Sequence, residues 1–116
     1  MLVESTLVVD LLKQFSEYVL EKAKSQYNVR YRVQDIFDAL FEAADRKRKC
    51  LLRYKKSRGG EREYYIAPYS FRWHGDNEFL YAYDFLEGHI KSFNVGRITG
   101  VFISHMRFRP RWAVEI

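Results

Sequence analysis

The hydrophobic period of the chain changes once, near residue 46, and this change constrains the fold more than any other feature. Before it, apolar residues recur at spacings of three and four, the pattern of amphipathic helices. Leu7, Val8, Leu11, Leu12, Phe15, Tyr18, Val19 and Ala23, with the stem of Lys22, form one apolar stripe. Ser5 or Thr6 suits its N-cap, and Asn28 is a fair stop. Val33, Ile36, Phe37, Leu40, Phe41 and Ala44 form a second stripe. It runs into Arg46-Lys47-Arg48-Lys49, and cations are favourable at a helix C-terminus. That run therefore reads as helix-end chemistry rather than as a phosphate grip.

After residue 46 the texture is short, aromatic-rich runs broken by glycine. Cys50–Lys55 reads as a strand, followed by a Ser57-Arg58-Gly59-Gly60 turn and a second run, Glu63–Ala67. Pro68 marks a strand edge or bend before Tyr69–His74. Gly75-Asp76-Asn77 is a hairpin signal, Phe79–Asp84 the next strand, and Glu87-Gly88 another turn. His89–Val95 and Val101–Ser104 complete the set. Strands at this spacing predict a small antiparallel barrel or sandwich. The expected fold is α+β, with two N-terminal amphipathic helices followed by a small antiparallel β-barrel of about five strands.

Composition removes several functions. The single Cys50 excludes a disulfide framework and a thiolate zinc site. His74, His89 and His105 lack metal-ligand spacing, so neither a metal nor a cofactor is expected. No run approaches the 18 apolar residues of a membrane span, and no basic flank of a signal peptide opens the chain, which is expected to be cytoplasmic. Catalysis has little support. His74 and Asp76 fall in a hairpin turn, Cys50 opens an apolar strand, and Glu61 and Glu63 read as solvated charges. With no phosphate loop or nucleophile elbow, the chain is not expected to be an enzyme.

Charge and aromatics point elsewhere. Residues 1–45 carry a net −3 and residues 46–116 a net +8, and 14 of the 20 aromatics lie in the second part. Cations interleaved with aromatic rings are what single-stranded nucleic acid requires, since the cations track phosphates and the rings stack on bases. Tyr69-Ser70-Phe71-Arg72-Trp73 and Lys91-Ser92-Phe93 have this alternation. On a strand, Ser70, Arg72 and His74 share one face and Tyr69, Phe71 and Trp73 the other.

The order of these pieces carries more information than any one of them. Pro68-Tyr69-Ser70-Phe71-Arg72, then Gly75, then Phe79-Leu80-Tyr81-Ala82-Tyr83-Asp84, then Ile90-Lys91-Ser92-Phe93-Asn94-Val95-Gly96-Arg97-Ile98 resembles the WYL-domain family. Upstream, Ala39–Ala44 looks like the family's leading helix and Leu51–Tyr54 like its first strand, so the resemblance covers about residues 36–103. The name-giving triplet falls on Glu78-Phe79-Leu80, and the family's basic segment stands here with Lys91, Asn94, Gly96 and Arg97. The resemblance implies an Sm- or SH3-like barrel that senses nucleic acid, often single-stranded, or a nucleotide-type ligand. Such domains often accompany DNA-binding helices in prokaryotic or phage-defence regulators. It divides the chain into a helical extension (1–35), a WYL-like domain with its leading helix (36–104) and a basic-aromatic tail (105–116).

Within that frame, Lys91 and Arg97 match the family's basic positions and are expected to contact phosphate. Ser70 and Arg72 line the same groove, Tyr83 stacks on a base or bonds through its hydroxyl, and Asn94 reads a base edge or sugar. The tail, with Arg107, Arg109 and Arg111 on one parity, either contacts a second copy or extends the nucleic-acid surface. The expected partners are single-stranded nucleic acid or a nucleotide, and a homodimer mate or larger protein. The alternative is an interaction or oligomerisation module, with the helices as interface and the barrel as scaffold.

Overall fold

A computed structural model describes residues 2–25 and 33–110. Helix α1 spans Leu2–Ser25 and α2 Val33–Arg46; strands β1 (Arg48–Lys55), β2 (Glu61–His74), β3 (Asn77–Asp84), β4 (His89–Asn94) and β5 (Ile98–Arg107) follow. A single 3-10 turn, Val95–Arg97, joins β4 to β5. All pairings are antiparallel, in the order β4-β3-β2-β1-β5.

The expected closed barrel is not formed. β4 and β5 are the two edges of an open sheet and do not pair with each other. The sheet instead gathers side chains from both edges around one core, with Phe93 of β4, Val95, and Ile98 and Val101 of β5 in a single buried cluster. α2 supplies Ile36, Leu40 and Ala43 to that cluster, which also holds Cys50, Leu52, Ile66, Leu80 and Ala82. Leu40 is fully buried, so its truncation to alanine is worth about 2–5 kcal/mol. Burial pushes the Cys50 thiol well above its ordinary range, leaving it an inert core residue. A second cluster on the opposite face joins Leu51, Tyr65, Ala67, Tyr83, Phe85 and Phe108.

Residues 61–74 form one continuous strand rather than two runs broken at Pro68. Pro68 lies beyond the last pair with β1, Cys50–Ile66, so its missing N–H leaves no gap in the β1–β2 ladder. Opposite β3, Pro68 faces Ala82 and Ser70 faces Tyr81, which makes Tyr69 the extra residue of a β-bulge. The bulge places Tyr69 in the second cluster, against Phe108, while Phe71 packs on Phe37 of α2. Tyr69 and Phe71 therefore do not share a face, contrary to simple alternation.

α1 also departs from expectation. It begins at Leu2, ahead of Ser5 and Thr6; Asn28 lies outside the described residues. Within its apolar stripe Tyr18 packs on the second cluster, its ring 6.2 Å from that of Tyr65, whereas Leu11, Leu12, Phe15 and Val19 are exposed, Leu12 by 62% and Phe15 by 55%. Polar groups hold the rest of the helix. Lys49 of β1 donates to Gln14 at 3.0 Å and pairs with Glu17 at 3.1 Å. The Tyr18 hydroxyl donates to Glu63 at 2.9 Å, and Lys22 pairs with the same carboxylate at 3.1 Å. Periodicity identifies which residues share a face, not which face the protein covers.

Candidate functional site

The β2–β3 hairpin positions the site. Gly75 opens its two-residue turn with φ +61°, the left-handed conformation that the first central position of a type II′ turn requires. Counting outward, His74 faces Asn77, Arg72 faces Phe79 and Ser70 faces Tyr81. On the other side of β3, Phe79 faces Asn94, Tyr81 faces Ser92 and Tyr83 faces Ile90. Two rows result on one face, Arg72–Phe79–Asn94 and Ser70–Tyr81–Ser92, each spanning three strands or about 10 Å.

This face is open near the turn. Arg72, His74 and Ser92 are exposed, and Phe79, Tyr81 and Asn94 half-buried. The His74 ring lies edge-on to Phe79 at 5.5 Å, and its Nε2 is 2.9 Å from the Tyr81 hydroxyl. Further along the same face Ser70 and Tyr83 are buried, as part of the floor. The Asn94 carboxamide oxygen accepts from the Gly96 N–H at 3.0 Å, capping the 3-10 turn. A guanidinium, flat rings, a hydroxyl and an amide thus share one surface. That set suits phosphate, base faces and base edges respectively.

Lys91 is placed differently. It faces Ala82 and lies on the opposite side of the sheet, with its ammonium 5.0 Å from the Tyr64 ring centre. There it pairs with Asp84 at 3.5 Å and with Glu87. Arg62 also donates to Glu87, at 2.8 Å. These two donors hold the Glu87 carboxyl below the usual carboxylate range. Arg97 sits half-buried in the 3-10 turn and makes no hydrogen bond or ion pair among the described residues. The structure thus brings Ser70, Arg72, Tyr83 and Asn94 to one face, while Arg97 follows Asn94 in the 3-10 turn. Lys91 lies behind that face.

Sequence reasoning missed Phe79, Tyr81 and Ser92 as members of this surface. The signal was present: a two-residue turn at Gly75-Asp76 fixes their register opposite Arg72 and Ser70. Among the described residues, no helix is long and apolar enough to cross a membrane, and no cluster of three metal-ligating side chains occurs.

The family model for the WYL domain matches residues 35–103. No curated protein matches the chain. Among solved structures the chain is similar to proteasome accessory factor B/C (PafBC) of Arthrobacter aurescens, with a TM-score of 0.61 and 18% sequence identity. The match covers 69% of this chain and 13% of that one, and at such identity it speaks to fold alone.

Proposed function

Because the chain belongs to the WYL-domain family, we propose that it is a non-enzymatic regulatory module that binds single-stranded nucleic acid on the open face of β2, β3 and β4. The observation that carries this reading is the pair of cross-strand rows, Arg72–Phe79–Asn94 and Ser70–Tyr81–Ser92. In it, Phe79 and Tyr81 stack on successive bases, each stack contributing about 1–3 kcal/mol. Arg72 and Arg97 neutralise phosphates at the two ends of the groove. The Asn94 amide and the Ser92 hydroxyl reach base edges or sugar, over a floor made by Ser70 and Tyr83. Lys91 supports the face from behind by fixing the β3–β4 turn through Asp84 and Glu87.

Fluorescence anisotropy with labelled dT12, its RNA counterpart and a 12-base-pair duplex tests the ligand class. A single-strand preference is expected, with log affinity falling against log salt at a slope of about −0.7 per phosphate engaged. Equal affinity for the duplex contradicts the reading.

A second reading, an oligomerisation module, is favoured by one observation, the exposed arc of Leu11, Leu12, Phe15 and Val19 on α1. A second copy of this chain would cover it, helix against helix, leaving the β2–β4 face open in both copies. Sedimentation equilibrium distinguishes a dimer from a monomer.

A further inference from the structure

Three locally unfavourable features meet where α2 ends and β5 ends. Lys47, which links α2 to β1, holds φ +55°, a left-handed conformation that favours glycine. Its N–H donates to the Ala44 carbonyl at 3.2 Å, and its carbonyl accepts from the Phe108 N–H at 3.0 Å. Next along, Arg48 lies directly opposite Arg107 on β5, a like-charge cross-strand pair. Finally, the Arg48 Nε is buried and has no hydrogen-bond partner among the described residues.

The residues that carry these features line one open cleft of about 760 Å³, whose walls hold Arg46, Lys47, Arg48, Arg107 and Arg109. Among the described residues Asp45 is the single acid in the lining, and it pairs with none of these cations. Arg46 is also bound at 3.3 Å by Glu42, which lies outside the cleft. The end of α2 favours Arg46 and Lys47, but the Arg48–Arg107 pair and the unpartnered Arg48 Nε gain nothing from that helix end, and an anion between the guanidinium groups offsets their repulsion.

We infer that this cleft is a second phosphate-binding site that takes consecutive phosphodiesters of a nucleic-acid strand. Guanidinium forks match phosphate oxygens bidentately, and Arg46, Arg48, Arg107 and Arg109 supply four of them. Five cations exceed what one phosphate can neutralise, so a strand fits the cleft better than a free nucleotide. Phe108 closes the inner wall by packing on Tyr69 at 5.6 Å. Tyr69 is the bulge residue beside Ser70, which ties the cleft to the β2–β4 face. The inference shares the ligand class of the function proposed above but assigns a different site.

The test is dT12 anisotropy at fixed ionic strength with three double variants. Arg107→Gln/Arg109→Gln is expected to weaken binding at least tenfold and to reduce the salt slope by about 1.4. Lys56→Gln/Arg58→Gln removes the same charge from the β1–β2 turn and is expected to change affinity less than threefold. Inorganic phosphate at 10 mM is expected not to displace the oligonucleotide. Thermal unfolding checks that Arg107→Gln/Arg109→Gln folds, with an unchanged or higher Tm because a like-charge pair is removed. Equal losses in the two variants, or full displacement by phosphate, overturn the inference. If Arg72→Gln/Tyr81→Ala abolishes binding while Arg107→Gln/Arg109→Gln does not, the cleft fails and the β2–β4 face stands. The reverse result retains the cleft and removes the face. A wild-type protein that binds none of the oligonucleotides removes both.

Discussion

The Lys91 ammonium lies 3.5 Å from a carboxylate oxygen of Asp84, a residue with 1% of its surface exposed. The other Asp84 oxygen accepts from the backbone N–H groups of Leu86 at 2.9 Å and Glu87 at 3.1 Å. A buried carboxylate organises the β3–β4 turn, and Lys91 is its cation. Lys91→Ala is therefore expected to destabilise the fold by about 1–3 kcal/mol, because it leaves that charge uncompensated. Urea unfolding measures this; a variant as stable as the wild type contradicts the assignment.

Glu87 gives a pH dependence of known sign. Lys91 and Arg62 hold its folded-state pKa below the ordinary carboxylate value of about 4.3. Its contribution is then fully present above that value and is lost as pH falls through the folded pKa. Glu87→Gln is expected to cost roughly 0.2–1 kcal/mol at pH 7, the range of a part-exposed ion pair. The difference from the wild type should shrink below about pH 4. Urea midpoints measured from pH 7 to pH 3 show it, and a gap independent of pH argues against the pairing.

Lys47 separates folding from function. Replacing it with glycine relieves a left-handed conformation, which costs an ordinary residue about 1–2 kcal/mol, against an entropic cost of roughly 0.5–1 kcal/mol. Lys47→Gly is expected to be neutral or up to about 1 kcal/mol more stable. Its affinity for dT12 should fall, because the cleft loses a cation. A clear loss of stability means that Lys47 serves the fold instead.

The exposed arc of α1 makes its own prediction. Leu12→Ser/Phe15→Ser removes two side chains that are more than half exposed, so monomer stability should move by no more than about 0.5 kcal/mol. If a second copy covers the arc, the same variant dissociates the dimer in sedimentation equilibrium. A loss above about 1 kcal/mol in a monomeric protein shows instead that the arc is packed within the chain.

Much of this arrangement was legible in the residues. The change of period near residue 46 separated helices from sheet, and Gly75-Asp76 announced the hairpin whose register aligns Arg72 with Phe79. The ordered pieces from Pro68 to Ile98 carried the family, which the match over residues 35–103 shows. What stayed hidden depends on contacts distant in sequence. A proline that bends a chain and a proline beside a bulge look alike, so Tyr69 could not be assigned to a face. The α1 stripe gave no sign that Lys49 would draw Gln14 and Glu17 onto the sheet and leave Leu11, Leu12, Phe15 and Val19 outside. Lys91 matched a family position, but its pairing with Asp84 depends on the β3–β4 turn. The basic run at 46–48 gains meaning only when β5 extends to Arg107 and sets it opposite Arg48.

The central claim is that the β2–β4 face binds single-stranded nucleic acid, and the most direct measurement is the affinity of Arg72→Gln/Tyr81→Ala for labelled dT12. Both side chains are at least partly solvent-accessible, so the variant should keep a cooperative thermal transition. Loss of one stacking ring and one phosphate contact predicts affinity reduced at least tenfold, with a shallower salt slope. A folded variant that binds dT12 as tightly as the wild type, with the same salt slope, contradicts the account.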